Sequence, residues 1–268
     1  MTDTPDAPRS SDRPPAGATT AGPDDAVHDA AESPPAPSRA LHRVMAVVAG
    51  LLVVAAIGAA GWYLWAPHHR PALRADEVYG IDVSHHQGAI DWAAVASDDV
   101  TFAYLKASEG TGFVDTRFAE SWAGADDAGI SRGAYHFFTL CTPGAEQGEH
   151  FVRTAPPVAS ALPPAVDLEL VGNCSARPPA DEVVAELDAF LAVVEEAWGT
   201  DVLLYVGEDW EERYPVLDRS DRPRWLVSFL GRPDYSWTVW QSSWWGAVDG
   251  IDGDVDIDVA RLDELRGR

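Results

Sequence analysis

Eight short apolar runs, each rich in β-branched or aromatic residues, punctuate the chain between residues 78 and 259, and their number and spacing leave few architectures open. They are Val78–Val83, Thr101–Lys106, Gly133–Phe138 and Ala165–Leu170, then Val202–Val206, Trp225–Phe229, Thr238–Gln241 and Val255–Val259. Helical patterns fill the early gaps: Ile90–Ala96, Asp115–Ala128, Gly144–Thr154 and Ala180–Trp198, the last with Val183, Val184, Leu187, Leu191 and Val194 on one stripe. Alternation of strand and helix favours parallel pairing. After Val206 the runs crowd together and leave little room for crossover helices. The expected fold is α/β: an irregular TIM-like β/α barrel with helices missing in its second half. In such a barrel active residues belong at the C-terminal ends of the strands. Asp82, Lys106, Tyr135 to Phe137, Asp167, Glu169, Tyr205, Gln241 and Asp256 lie towards those ends.

The fourth run, Ala165-Val166-Asp167-Leu168-Glu169-Leu170, carries acids at alternate positions. Successive strand side chains face opposite ways, so Asp167 and Glu169 share one side with Cα atoms roughly 7 Å apart, and Val166, Leu168 and Leu170 share the other. Neither side of a parallel barrel is bulk solvent, so carboxylates there need partners or a task.

Residues 44–66 contain no charge and are long enough, at about 1.5 Å per residue, to cross a hydrocarbon layer of roughly 30 Å. A cleaved signal peptide has a shorter apolar region, about 7 to 15 residues, and lacks so long a hydrophilic leader. The segment therefore reads as a single-pass signal anchor, with secretion the outcome if it is cleaved. Arg39 and Arg43 before it balance Arg70 and Arg74 after it, so charge does not orient it. Action of the folded part on an extracellular polymer would make residues 1–43 cytoplasmic. That tail, rich in Pro, Ala, Asp and Ser, is expected to be disordered. Residues 67–75 read as a linker and 76–268 as the folded domain.

A net charge of −24 repels phosphate backbones and argues against nucleic-acid binding. Recognition must then be local, and 11 Trp and 7 Tyr offer aromatic faces for it, with core packing the alternative at each position. The two cysteines, Cys141 and Cys174, each follow a predicted strand. A disulfide between them suits an external compartment, and free thiols an internal one; their spacing is unlike a zinc site.

The segments Tyr79–Gly88 (YGIDVSHHQG), Ile90-Asp91-Trp92, Phe102–Gly110 (FAYLKASEG), Gly133–Phe137 (GAYHF), Asp167-Leu168-Glu169, Trp240-Gln241 and Val255–Asp258 (VDID) together resemble, in order, glycoside hydrolase family 25, the Chalaropsis-type lysozymes. The resemblance covers about residues 76–262 and is specific jointly rather than piece by piece. It implies a β/α barrel that cleaves the β-1,4 bond between N-acetylmuramic acid and N-acetylglucosamine in peptidoglycan; separately, the residues suggest neither cofactor nor metal. Position by position, it implies that Glu169 is the general acid, Asp167 and Asp82 the other central carboxylates, and Asp256 a fourth acid. Clustered acids suit that chemistry, because one carboxyl must keep its proton beside another that stays ionised. An Asp-x-Glu pair fits retaining and inverting spacings alike, and also substrate assistance by the sugar's 2-acetamido group, which we favour.

Tyr135, Tyr205, Trp240 and Gln241 take sugar-binding places by the same resemblance. Lys106, the only lysine, is suited either to substrate contact or to a structural ion pair. His85 and His86 are expected to shape the loop after the first strand rather than bind metal. The run Asp252, Asp254, Asp256, Asp258 fails the calcium-loop pattern, with Ile257 and Asp263 where Gly and Glu belong. Asp258 departs from the family pattern, in which Asn is frequent, and adds an acid. A wall-binding module without turnover and a glycosidase of another N-acetylated polymer such as chitin are the rival readings.

Overall fold

The computed structural model of the protein describes residues 38–229 and 231–267. Most of the expected disordered tail, residues 1–37, lies outside them. Helix α1 (Arg39–Trp65) contains 27 residues, almost all exposed, and is long and apolar enough by length and composition to cross a membrane. It begins five residues before the uncharged segment, so residues 39–43 are its first turn rather than tail.

The barrel begins with β1 (Val78–Val83), α2 (Trp92–Ser97), β2 (Val100–Glu109) and the short β3 (Phe113–Val114). Next come α3 (Phe118–Asp127), β4 (Ser131–Phe137), α4 (Gly144–Thr154), β5 (Ala165–Leu168) and α5 (Ala180–Trp198). The second half holds β6 (Leu203–Val206), α6 (Glu208–Arg213), β7 (Arg224–Val227), β8 (Val239–Gly246), β9 (Val255–Ala260) and α7 (Leu262–Arg266). All eight expected runs are strands. They pair in the order β1-β9-β8-β7-β6-β5-β4-β2 and close through β1–β2, with β3 a flap hydrogen-bonded to the end of β2.

Pairing is parallel from β1 through β2, β4, β5, β6 and β7 to β8, but β9 runs antiparallel to both its neighbours. The parallel pairing that the early alternation favours does not extend to β9, for a topological reason. A parallel return needs a crossover of a dozen or more residues, and the stretch from Gly246 to Val255 is too short for one, so the chain makes a hairpin. Asp256 consequently sits near the start of its strand, yet at the same barrel mouth as the C-terminal ends of the others.

Two apolar layers hold the barrel. Phe102, Tyr104, Leu203, Trp225, Val239 and Ala260 fill its interior below the mouth, the rings of Tyr104 and Trp225 5.0 Å apart. A Cβ on Gly133 would overlap the Tyr104 ring, so only glycine lets that ring lie flat against β4. Outside, Val183, Leu187, Phe190, Leu191 and Val194 of α5 pack towards the strands, as their stripe predicts. The helix stops at Gly199 in a left-handed conformation (φ 71°). Cys141 and Cys174 form a disulfide, with Cα atoms 6.2 Å apart, joining the loops after β4 and β5. Residues 67–75, expected as a linker, lie against the barrel: Ala247 N–H donates to the Pro67 carbonyl at 2.8 Å, Arg70 pairs with Asp98 at 2.5 Å, and Tyr79 Oη donates to the Pro71 carbonyl at 2.6 Å.

Candidate active site

The strand ends surround an open cavity of about 610 Å³. Asp82 reaches it from β1, Lys106 and Glu109 from β2, Tyr135 and Phe137 from β4, Asp167 and Glu169 from β5 and the residue beyond it. Tyr205 comes from β6, Gln241 and Trp244 from β8, and Asp256 from β9. The ladder sets Asp82 opposite Asp256 and Asp167 beside Tyr205. Val166 and Leu168 are fully buried on the other face of β5, as alternation requires.

Of the five acids at the mouth, the four besides Glu109, with Asp258 beneath them, cannot all carry charge in so little water. Burial raises the Glu169 carboxyl to about 7, helped by the charges of Asp209 and Asp256 and opposed by Lys106. Burial likewise raises Asp256 to about 6, while a hydrogen bond from Gln241 Nε2 favours its ionised form. Asp167 is pushed well above the ordinary range by burial and then by Glu169, with Lys106 again opposing.

Asp82 is pushed up by burial, Asp256, Asp258 and Asp167. Below the mouth, Asp258 is fully buried, and its Oδ1 accepts Trp225 Nε1–H at 3.0 Å. Asp258 lies close enough to Asp82 to raise it, and the Oδ2 of each is buried without a hydrogen-bond partner. Burial and repulsion by neighbouring acids push both carboxyls towards their protonated forms. Lys106 is the only lysine or arginine among the described residues that line the cavity. Its Nζ is itself 2.8 Å from Glu109 and lies over the Phe137 ring at 4.8 Å.

Glu169 is fixed from behind. Asn173 Nδ2 donates to its carbonyl at 3.0 Å and to that of Phe138 at 2.8 Å, and Asp209 Oδ2 accepts the Leu170 N–H at 3.1 Å. The loop after β1 is held in turn by Asp115, whose Oδ2 is 2.8 Å from both the backbone nitrogen and Nδ1 of His85, while His86 faces the cavity. Behind β4, Ser108 Oγ, His136 and Gln147 form a chain that imitates a hydrolytic triad. All three are fully buried, and burial drives His136 down to about 3, so the chain is structural.

The sequence model described as Glycosyl hydrolases family 25 matches residues 81–251. The chain belongs to glycosyl hydrolase family 25. This family 25 glycoside hydrolase is 33% identical to YegX, an uncharacterised protein of Escherichia coli, over 201 residues, 71% of this chain and 72% of the relative. An N,O-diacetylmuramidase of Arthroderma benhamiae is 31% identical over 234 residues, 81% of this chain and 96% of the relative. The structure of a family 25 glycosyl hydrolase from Bacillus anthracis aligns with a TM-score of 0.68 at 30% identity, covering 75% of this chain and 97% of its own.

In the family 25 hydrolase, Asp82, Lys106, Tyr135, Asp167, Glu169, Tyr205, Gln241 and Asp256 converge on the cavity, but Trp240 does not. It is 3% exposed, donates from Nε1 to the Ser228 carbonyl at 2.8 Å, and packs on Trp237 in the outer apolar layer. Adjacent residues on one strand face opposite ways, so Trp240 and Gln241 cannot both reach the mouth. Of the two roles open to Trp240, sugar contact and core packing, the structure shows core packing. Trp244 occupies the rim instead, 57% exposed, with Phe229 46% exposed beside the same opening. Register shifts between Gln241 and Ser243 and between Ser243 and Gly246 turn Trp244 to the cavity side, an irregularity that strict alternation does not anticipate. Phe137, at the end of its predicted strand, lines the cavity, whereas Glu109 and Asp209 were missed. Glu109 was legible in the segment FAYLKASEG, whereas Asp209 carries no motif.

Proposed function

We propose that this chain is a muramidase that hydrolyses the β-1,4 bond between N-acetylmuramic acid and N-acetylglucosamine in peptidoglycan, with Glu169 as proton donor. The observation that carries the proposal is a Glu169 carboxyl raised to about 7 at the mouth of a cavity it shares with Asp167, Asp82 and Asp256. A donor must be protonated near the working pH, and burial shifts Glu169 towards holding its proton there. Similarity to an N,O-diacetylmuramidase supports the substrate class.

In the proposed reaction Glu169 gives its proton to the glycosidic oxygen as the C1–O bond breaks, and the 2-acetamido oxygen closes on C1. Asp167 orients the amide N–H. Water then attacks C1, the ring opens, and the Glu169 carboxylate takes the water's proton, restoring the acid. Asp82 and Asp256 complete the carboxylate set; Tyr135, Tyr205, Gln241 and Lys106 contact the sugars.

We further propose that residues 44–66 anchor the enzyme in a membrane, residues 1–43 on the cytoplasmic side and the barrel outside. Trp62, Tyr63 and Trp65 at the end of α1 suit a membrane interface, and a disulfide suits an oxidising compartment. The enzyme then acts in turnover or remodelling of the cell wall. Digestion of purified peptidoglycan, with mass spectrometry of the new reducing ends, tests the reaction: muramic acid ends support it, glucosamine ends refute it, and absence of products favours a binding module. Chitin digestion instead would support the other glycosidase reading. Protease protection of the N-terminal tail in intact cells tests the topology.

A further inference from the structure

Asp209 lies outside every segment that marks the family and does not line the cavity, yet it packs behind Glu169. Its Oδ2 accepts the N–H of Leu170, the residue after Glu169, at 3.1 Å. The approach depends on Gly207. A Cβ at that position would stand 2.9 Å from Asp209 Oδ1 and 3.2 Å from Glu169 Cβ, so the bare glycine face is what lets the two acids close on one another. Gly207 N–H also donates to the Leu168 carbonyl at 2.9 Å, tying the start of α6 to the end of β5.

The charged groups facing Glu169 are Asp209 from α6, Asp256 from β9, Asp167 from β5 and Lys106 from β2. Among them Asp209 has the largest effect on the Glu169 proton, after burial itself. Lys106, the one opposing cation, is engaged by Glu109.

We propose that Asp209 is a positioning residue: its negative charge behind Glu169 favours the protonated acid, and its hydrogen bond to Leu170 fixes the strand end that aims Glu169 into the cavity. The inference rests on the proposed role of Glu169 as proton donor.

The test is the pH–rate profile of peptidoglycan digestion by the full chain and by Asp209→Asn, with Glu169→Gln run beside them. Asparagine keeps an oxygen for the Leu170 N–H and removes the charge. The expected result is an alkaline limb displaced about 1 unit to lower pH, hence roughly tenfold slower hydrolysis at pH 8 and an unchanged rate at pH 5. Asp209→Glu should leave the limb in place. An unmoved limb in Asp209→Asn, with Glu169→Gln inactive, overturns the inference and leaves the muramidase reading standing. An active Glu169→Gln overturns the reading itself. Should Asp209→Asn fail to fold, Asp209→Ser, which retains an acceptor without charge, carries the same prediction.

Discussion

Asn173 Nδ2 donates to the Glu169 carbonyl at 3.0 Å, and the next residue in the chain, Cys174, is disulfide-bonded to Cys141. The loop after β5 is thus cross-linked to the loop after β4 beside the proposed acid, and Asn173 passes that rigidity to the Glu169 backbone. Asn173→Ala is expected to lower kcat about tenfold with a smaller change in KM, because substrate binding is kept and the aim of the acid is lost. Steady-state kinetics on soluble muropeptide chains would show it. Replacing both cysteines by serine frees a loop of 33 residues' separation and should cost roughly 2–4 kcal/mol in urea denaturation.

Asp258→Asn should stabilise the protein at neutral pH. Asp258 is raised well above its ordinary range by burial and then by Asp256. A carboxyl with a raised folded-state pKa contributes fully below its unfolded pKa, near 4, and loses that contribution as pH climbs towards the folded value. An amide there still accepts from Trp225, supplies an N–H to Asp82, and does not titrate. The melting temperature of Asp258→Asn should match that of the parent at pH 4 and exceed it increasingly up to pH 7, by about 1 kcal/mol or more in stability. A constant offset across pH would contradict a burial-raised Asp258.

Hydrolysis should lose rate as pH rises through about 7, where Glu169 gives up its proton. The pH dependence of kcat/KM at fixed ionic strength reads this limb. A rate still rising at pH 9 would mean that another group donates.

Trp244 offers an exposed indole at the rim, where the apolar face of a sugar can stack. Trp244→Ala is expected to raise KM about three- to tenfold and leave kcat nearly unchanged, since such stacking is equal in ground and transition states.

The eight strands and the long helices were legible because periodicity reports burial, and β5 showed its acids because alternation put Asp167 and Glu169 on one face. Three things escaped for physical reasons. The direction of β9 depends on the length of the connection before it rather than on its composition. The exchange of Trp240 for Trp244 depends on bulges in β8, a property of pairing that no single strand displays. Asp209 meets Glu169 only because β6 lies next to β5 and Gly207 leaves room, a tertiary coincidence without a local signature.

The most direct measurement is digestion of purified peptidoglycan by the enzyme and by Glu169→Gln, with circular dichroism to confirm folding and mass spectrometry of the released ends. The account predicts N-acetylmuramic acid at the new reducing ends and at least a hundredfold slower release, roughly, by a folded Glu169→Gln. Undiminished release by that variant, or N-acetylglucosamine ends from the parent enzyme, would contradict it.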